Sequence, residues 1–126
     1  MNRLTQTAIR RRNHRRGIMA EYLALVFLTL KAYRLVAMRY KTRSGEIDLV
    51  MRRGQTLVFI EVKARRTRDD AAFALHAKNQ ARVVAAAQSF LQNHPSYQSY
   101  QVRFDAMLIA WYKMPQHLVH AFGDAI

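Results

Sequence analysis

The chain has 126 residues, 51% of them apolar, with 21 Lys+Arg against 8 Asp+Glu. That length and apolar share suit one domain with a single core, and a formal net charge of +13 predicts a polyanionic partner, nucleic acid ahead of an anionic membrane surface. The absence of cysteine excludes disulfides, CxxC redox chemistry and thiolate zinc sites, and leaves the compartment open.

Residues 1–16 are polar and carry Arg10, Arg11, Arg12, Arg15 and Arg16 with no apolar period. They are expected to form a flexible basic arm ahead of a single domain over 17–126. The apolar run from Tyr22 to Leu30 that follows has the outline of a secretory leader. Glu21 at its head, Lys31 at its end and the lack of a small-residue cleavage site argue against one. The run also falls well short of the ~20 residues that span a bilayer. A soluble, cytoplasmic protein with no membrane span is expected.

The pattern turns helical at Gly17 and stays so to Lys31. Met19, Leu23, Val26, Phe27 and Leu30 follow the spacing of one buried stripe. Ala20, Ala24, Leu25 and Leu28 fill much of the rest, so the helix is expected to be well covered. Glu21 projects near Leu25 and Leu28. A carboxylate among apolar neighbours needs a partner, either one of the many arginines or a functional site.

A first strand is expected around residues 34–40, then a basic turn from Lys41 to Gly45. A second strand covers about 46–51. Arg52-Arg53-Gly54-Gln55 reads as a hairpin turn into a third strand at about 56–63. Leu57-Val58-Phe59-Ile60 is apolar at consecutive positions, which predicts a central strand covered on both faces. A basic loop with a short helix fills 64–76. A helix over about 77–92 turns Val83, Ala87, Phe90 and Leu91 inward and stops at Asn93-His94-Pro95. The last long strand, about 101–111, places Phe104 on one face and Arg103 and Asp105 on the other, where the two are expected to pair. After Pro115 a short helix is expected. The order α-β-β-β-α-β predicts an α/β domain with a mixed β-sheet flanked by helices. The five histidines show no metal-ligand spacing and read as surface residues.

Chemistry concentrates in Gly45-Glu46-Ile47-Asp48-Leu49-Val50 and Glu61-Val62-Lys63. Asp48 and Glu61 sit at a distance suited to two antiparallel strands joined by a tight turn. Strand parity puts Glu61 and Lys63 on one face, so an in-register hairpin lets Asp48, Glu61 and Lys63 converge. Two carboxylates and a lysine suit a Mg²⁺-dependent phosphodiesterase. The alternative is a solvated strand end. Arg39, Lys41 and Arg43, the hairpin residues Arg52 and Arg53, and Arg65, Arg66 and Lys78 are candidate phosphate contacts. No pattern of stacking aromatics like that of an RRM is visible in the sequence.

These two blocks, with Leu57–Lys63 running on into Ala64-Arg65, resemble the YraN-like family of small bacterial proteins regarded as endonucleases. The resemblance extends through residues 78–91 and Val102-Arg103-Phe104-Asp105. It implies a PD-(D/E)XK, restriction-endonuclease-like fold, similar to archaeal Holliday-junction resolvases. It further implies Glu21, Asp48 and Glu61 as carboxylates for Mg²⁺ (or Mn²⁺), the Val62 carbonyl in the metal shell, Lys63 as catalytic lysine and Gln80 as an accessory polar residue. The implied substrate is DNA, branched or structured, and the implied assembly a homodimer. A non-catalytic nucleic-acid-binding module that keeps the fold is the alternative. The chain departs from the family pattern at Arg39, where Asn is expected, and at Ala32, where Gly is common.

Overall fold

The structure is a computed structural model and describes residues 3–75 and 77–123. A long helix, α1 (Arg3–Leu30), leads into the meander β1 (Arg34–Lys41), β2 (Glu46–Arg53) and β3 (Thr56–Arg65). Two helices, α2 (Arg68–Phe73) and α3 (Ala77–Asn93), return the chain to β4 (Gln101–Ala110), beside β3 and parallel to it. The strand β5 (Gln116–Leu118) completes a five-stranded sheet in the order β1-β2-β3-β4-β5, whose other pairs are antiparallel. The expected mixed α/β sheet flanked by helices is present.

The core lies on both faces of that sheet. On one, Ala20, Ala24 and Leu28 of α1 meet Leu49, Met51, Val58, Ile60, Met107 and Ile109. On the other, Val83, Ala86, Ala87 and Phe90 of α3 meet Ile47, Val50, Leu57, Phe59 and Phe104. Leu57 to Ile60 have no exposed surface, as a consecutive apolar run in a central strand requires. Each such side chain contributes roughly 1.5–3 kcal/mol by leaving water.

Three elements differ from the sequence expectation. The buried stripe of α1 is Ala20, Ala24 and Leu28, whereas Met19, Leu23, Val26 and Leu30 are exposed. Small residues let the helix backbone approach the sheet closely, so the bulkier stripe faces outward. The helix begins at Arg3 and not at Gly17, so residues 3–16 are its first turns. The tail after Pro115 forms β5, not a helix, because β4 leaves an unpaired edge that Gln116, His117 and Leu118 satisfy.

His117 is consequently inside, not on the surface. Asp105 is fully buried and accepts two bonds from Arg103 (2.9 and 2.8 Å), one from His117 Nε2 (2.7 Å) and one from the His120 N–H (3.1 Å). Burial disfavours its charge, but His117, Arg103 and His120 together outweigh that and hold its pKa below the ordinary 3.8. The expected Arg103–Asp105 pair is present and structural. With Asp105 ionised, His117 Nε2 carries the proton, and Nδ1 faces Lys31 Nζ at 2.7 Å, tying β5 to the end of α1.

Candidate active site

The site forms where the β2–β3 ladder gives out. Partners run from Arg53 and Thr56 to Leu49 and Ile60, and one step further Asp48 stands opposite Glu61. There the Val62 N–H donates to Asp48 Oδ2 at 2.8 Å, so a side chain takes over from the missing ladder partner. The alternation of faces along β2 also breaks at this point. Ile47 packs in the α3 layer and Leu49 in the α1 layer, although residues two apart on a regular strand share a face. Across from Asp48, between the pairs Met38–Leu49 and Tyr40–Ile47, Arg39 has a left-handed φ of 52°. Such backbone is uncommon for an arginine and natural for glycine or asparagine.

Glu61 is 5% exposed. Its Oε1 lies 3.1 Å from Lys63 Nζ, while its buried Oε2 has no hydrogen-bond partner among the described residues. Glu21 reaches the same end of the sheet and takes a 2.6 Å bond from Arg39 Nε. Asp48 feels all of this. Burial first, then repulsion from Glu21 and Glu61, push its pKa up to about 7, against the opposing pull of the Val62 N–H and Lys63. Asp48, Glu61 and Lys63 are thus brought together, with Glu21 close enough to repel Asp48 but tied to Arg39. The arginine partner expected for Glu21 is Arg39, and Glu21 also lines the cavity described next.

A cavity of about 730 Å³ opens beside these residues, lined by Gly17, Ala20 and Glu21 from α1, by residues 62–66, and by Trp111. Lys63, Arg65 and Arg66 give it a cationic wall. Lys41 and Arg43 lie at the same end of the sheet and are exposed. Arg52 and Arg53 sit at the closed end of the hairpin, where Arg53 stacks 4.5 Å over Tyr33, and the structure does not bring them to the cavity. Gln80 is half-buried on α3, with no hydrogen bond to Asp48, Glu61 or Lys63 among those described. The Lys78 side chain lies outside the described residues.

A hard divalent cation needs oxygen donors, commonly one or two carboxylates completed by water and substrate. Asp48, the orphan oxygen of Glu61 and the Val62 carbonyl fit that requirement. A complete cage is not assembled: among the described residues no three His, Cys, Asp or Glu gather as metal ligands, and Glu21 is bonded to Arg39.

Two residues acquire a role only from the structure. Gly45, buried in the turn before β2, approaches α3 so closely that a Cβ there would stand 2.5 Å from the Arg82 carbonyl oxygen. Its place in the motif is therefore steric. Trp111 lines the cavity, and its signal was present, since it is the single tryptophan of the chain.

Comparison with known proteins matches the model of a family described as "Uncharacterised protein family UPF0102" over residues 20–109, a span that includes Glu21, Asp48, Glu61 and Lys63. A UPF0102 protein of Nitrobacter winogradskyi is 51% identical over 106 residues, 84% of this chain and 90% of that one. One from Rhodopseudomonas palustris strain BisB5 is 50% identical over 84% and 81% of the two chains. One from Methylorubrum extorquens is 49% identical over 91% and 90%. With both motif blocks inside the matched span and half of the residues shared with these relatives, the chain belongs to the UPF0102 family.

Proposed function

We propose that the chain is a divalent-metal-dependent endonuclease acting on DNA, branched or structured DNA in particular, on the PD-(D/E)XK, restriction-endonuclease-like plan. Glu61 carries the reading. A carboxylate oxygen without a partner in the interior is costly, and here it stands next to an aspartate that resists ionising. A bound cation would relieve both.

Asp48, Glu61 and the Val62 carbonyl would hold Mg²⁺ or Mn²⁺, with Glu21 joining once it parts from Arg39. Such an ion activates water and offsets charge on the scissile phosphate. Lys63, paired to Glu61, would orient the attacking water or donate to phosphate oxygens as charge builds. Arg65 and Arg66 bind flanking phosphates, which position the strand without reading its bases. The Glu21–Arg39 pair favours a second reading, a binding module that keeps the fold but does not gather its third carboxylate.

The test uses labelled duplex, single-stranded and four-way-junction DNA with Mg²⁺, Mn²⁺ or EDTA. Metal-dependent cleavage that disappears in both Glu61→Ala and Lys63→Ala, with binding kept, supports the enzyme. Equal residual cleavage in wild type and variants would assign the activity to a contaminant and overturn the proposal.

A further inference from the structure

Next to the cationic cavity lies a second, apolar cleft of about 480 Å³, lined by Met19, Leu23, Trp111 and Tyr112. The first two belong to the outward stripe of α1 that the core leaves uncovered. Trp111 is the wall shared by both spaces. Its position follows from the parallel β3–β4 register, which pairs Arg65 with Ala110 and so sets the next residue, Trp111, beside Arg66. Tyr112 is fully exposed and has φ 67°. A bulky residue held in left-handed backbone is a strained feature of the kind that clusters at ligand clamps.

The two spaces differ in chemistry and join at one aromatic ring. The cavity offers cations and suits phosphate; the cleft offers flat apolar surface. A nucleic-acid strand with unpaired bases presents both chemistries, an anionic backbone with exposed rings attached. Duplex DNA presents only the first, because its bases are stacked inside. A wholly apolar protein segment would use the cleft but not the cations, and an anionic phospholipid would offer its phosphate but no flat ring to stack on Trp111.

We propose that Trp111 is a base-stacking residue: backbone phosphates lie along Lys63, Arg65 and Arg66, while an unpaired base stacks on Trp111 in the cleft beside Tyr112. The substrate class is then DNA with single-stranded nucleotides adjoining the bound phosphates, such as a flap, gap or splayed junction arm. This rests on the nucleic-acid reading of the site and narrows it. Trp111 lies just past the stretch matched by the family model, residues 20–109, in the turn between β4 and β5.

The single tryptophan reports directly. Full-length protein in EDTA is titrated with an oligo-dT strand, a blunt duplex, the same duplex with a single-stranded flap, and inorganic polyphosphate. Tryptophan emission and the anisotropy of a label on each DNA are followed. The strand and the flap quench the emission; blunt duplex and polyphosphate bind without quenching. Removing one base stack weakens binding by about 5–150-fold, so Trp111→Leu loses that much affinity for strand and flap and little for duplex, whereas Trp111→Phe keeps most of it. Wild-type quenching needs no variant, so a misfolded Trp111→Leu leaves the test intact. Equal affinity for flap and blunt duplex with unchanged emission overturns the proposal. So does emission that responds instead to anionic vesicles, or to protein concentration alone as a second copy fills the cleft. Cleavage is scored separately: quenching without cleavage removes the enzyme and keeps the stacking site, and cleavage of blunt duplex with silent Trp111 does the reverse.

Discussion

Replacing Asp48 by asparagine separates a carboxylate kept for chemistry from one kept for stability. Asp48 has its pKa pushed up to about 7 from an ordinary 3.8, by burial first and then by Glu21 and Glu61. The sign follows from proton counting. Between those two values the folded protein holds a proton that the unfolded chain has released, so stability falls as pH rises through the window. Below pH ~4 both states are protonated and nothing is lost. Above pH ~7 the full cost applies, and at 1.36 kcal/mol per pH unit it reaches about 4 kcal/mol. The amide of Asp48→Asn does not titrate, and its side-chain oxygen can still accept from the Val62 N–H that now bonds Asp48 at 2.8 Å. Urea unfolding in EDTA should therefore show the two proteins nearly equal near pH 4.5, with the variant more stable by about 2–4 kcal/mol at pH 8. Titrating groups that do not interact with Asp48 are common to both proteins and cancel in the difference; Glu21, Glu61 and Lys63, which do interact with it, do not. Mg²⁺ added at pH 8 should narrow the gap, since an ion that binds the folded wild type stabilises it by mass action. A stability difference that does not change between pH 4.5 and pH 8, or a variant less stable at pH 8, would refute the account of Asp48.

Three further outcomes are expected. Ala32→Gly should raise stability by about 1 kcal/mol in thermal or urea unfolding. The residue sits at φ 72° in the turn that ends α1, where the Tyr33 N–H bonds the Leu28 carbonyl and the Ala32 N–H bonds that of Thr29. Gly45→Ala should cost about 1–3 kcal/mol, because the Arg82 carbonyl 2.5 Å from the new methyl belongs to the backbone of α3 and must move with it; unchanged stability would mean the turn and α3 separate freely. Asp105→Asn should cost about 3–5 kcal/mol by leaving the half-buried Arg103 without its counter-charge. In the wild type that contribution is present above pH ~4 and lost as pH falls through the lowered pKa of Asp105, so the acid side of its pH–stability profile should flatten in the variant.

Much of this fold was legible because its strongest elements have one-dimensional signatures. The unbroken run Leu57–Ile60 could only be a strand covered twice, and strand parity placed Arg103 and Asp105 together. The face of α1 was not legible, because two stripes at helical spacing competed. Hydrophobicity favours Met19, Leu23, Val26 and Leu30, while close approach to a sheet selects Ala20, Ala24 and Leu28. The burial of His117 was out of reach for the same kind of reason, since it depends on a tail pairing with the free edge of β4. At the site, spacing gave the convergence of Asp48, Glu61 and Lys63. The expectation of glycine at position 32 and asparagine at position 39 acquires a cause only from the backbone. Both positions have left-handed φ, the conformation that Gly and Asn tolerate best.

Two aspartates in this sheet show why burial alone does not identify a functional acid. Asp105 receives bonds from Arg103, His117 and the His120 backbone and is held ionised; its network is closed. Asp48 receives the Val62 N–H, faces two other carboxylates, and resists ionising; beside it Glu61 keeps one buried oxygen unpartnered. The cost is concentrated further at Arg39, opposite Asp48. An asparagine would suit its backbone but is too short to span to Glu21 as the guanidinium does. In this chain the left-handed arginine therefore holds Glu21 at 2.6 Å, while Glu21 still repels Asp48. Strain, an unpaired oxygen and a disfavoured charge meet at one strand end, while the neighbouring edge is fully satisfied. That contrast is what the proposed site for a cation and its anionic substrate requires of a folded chain.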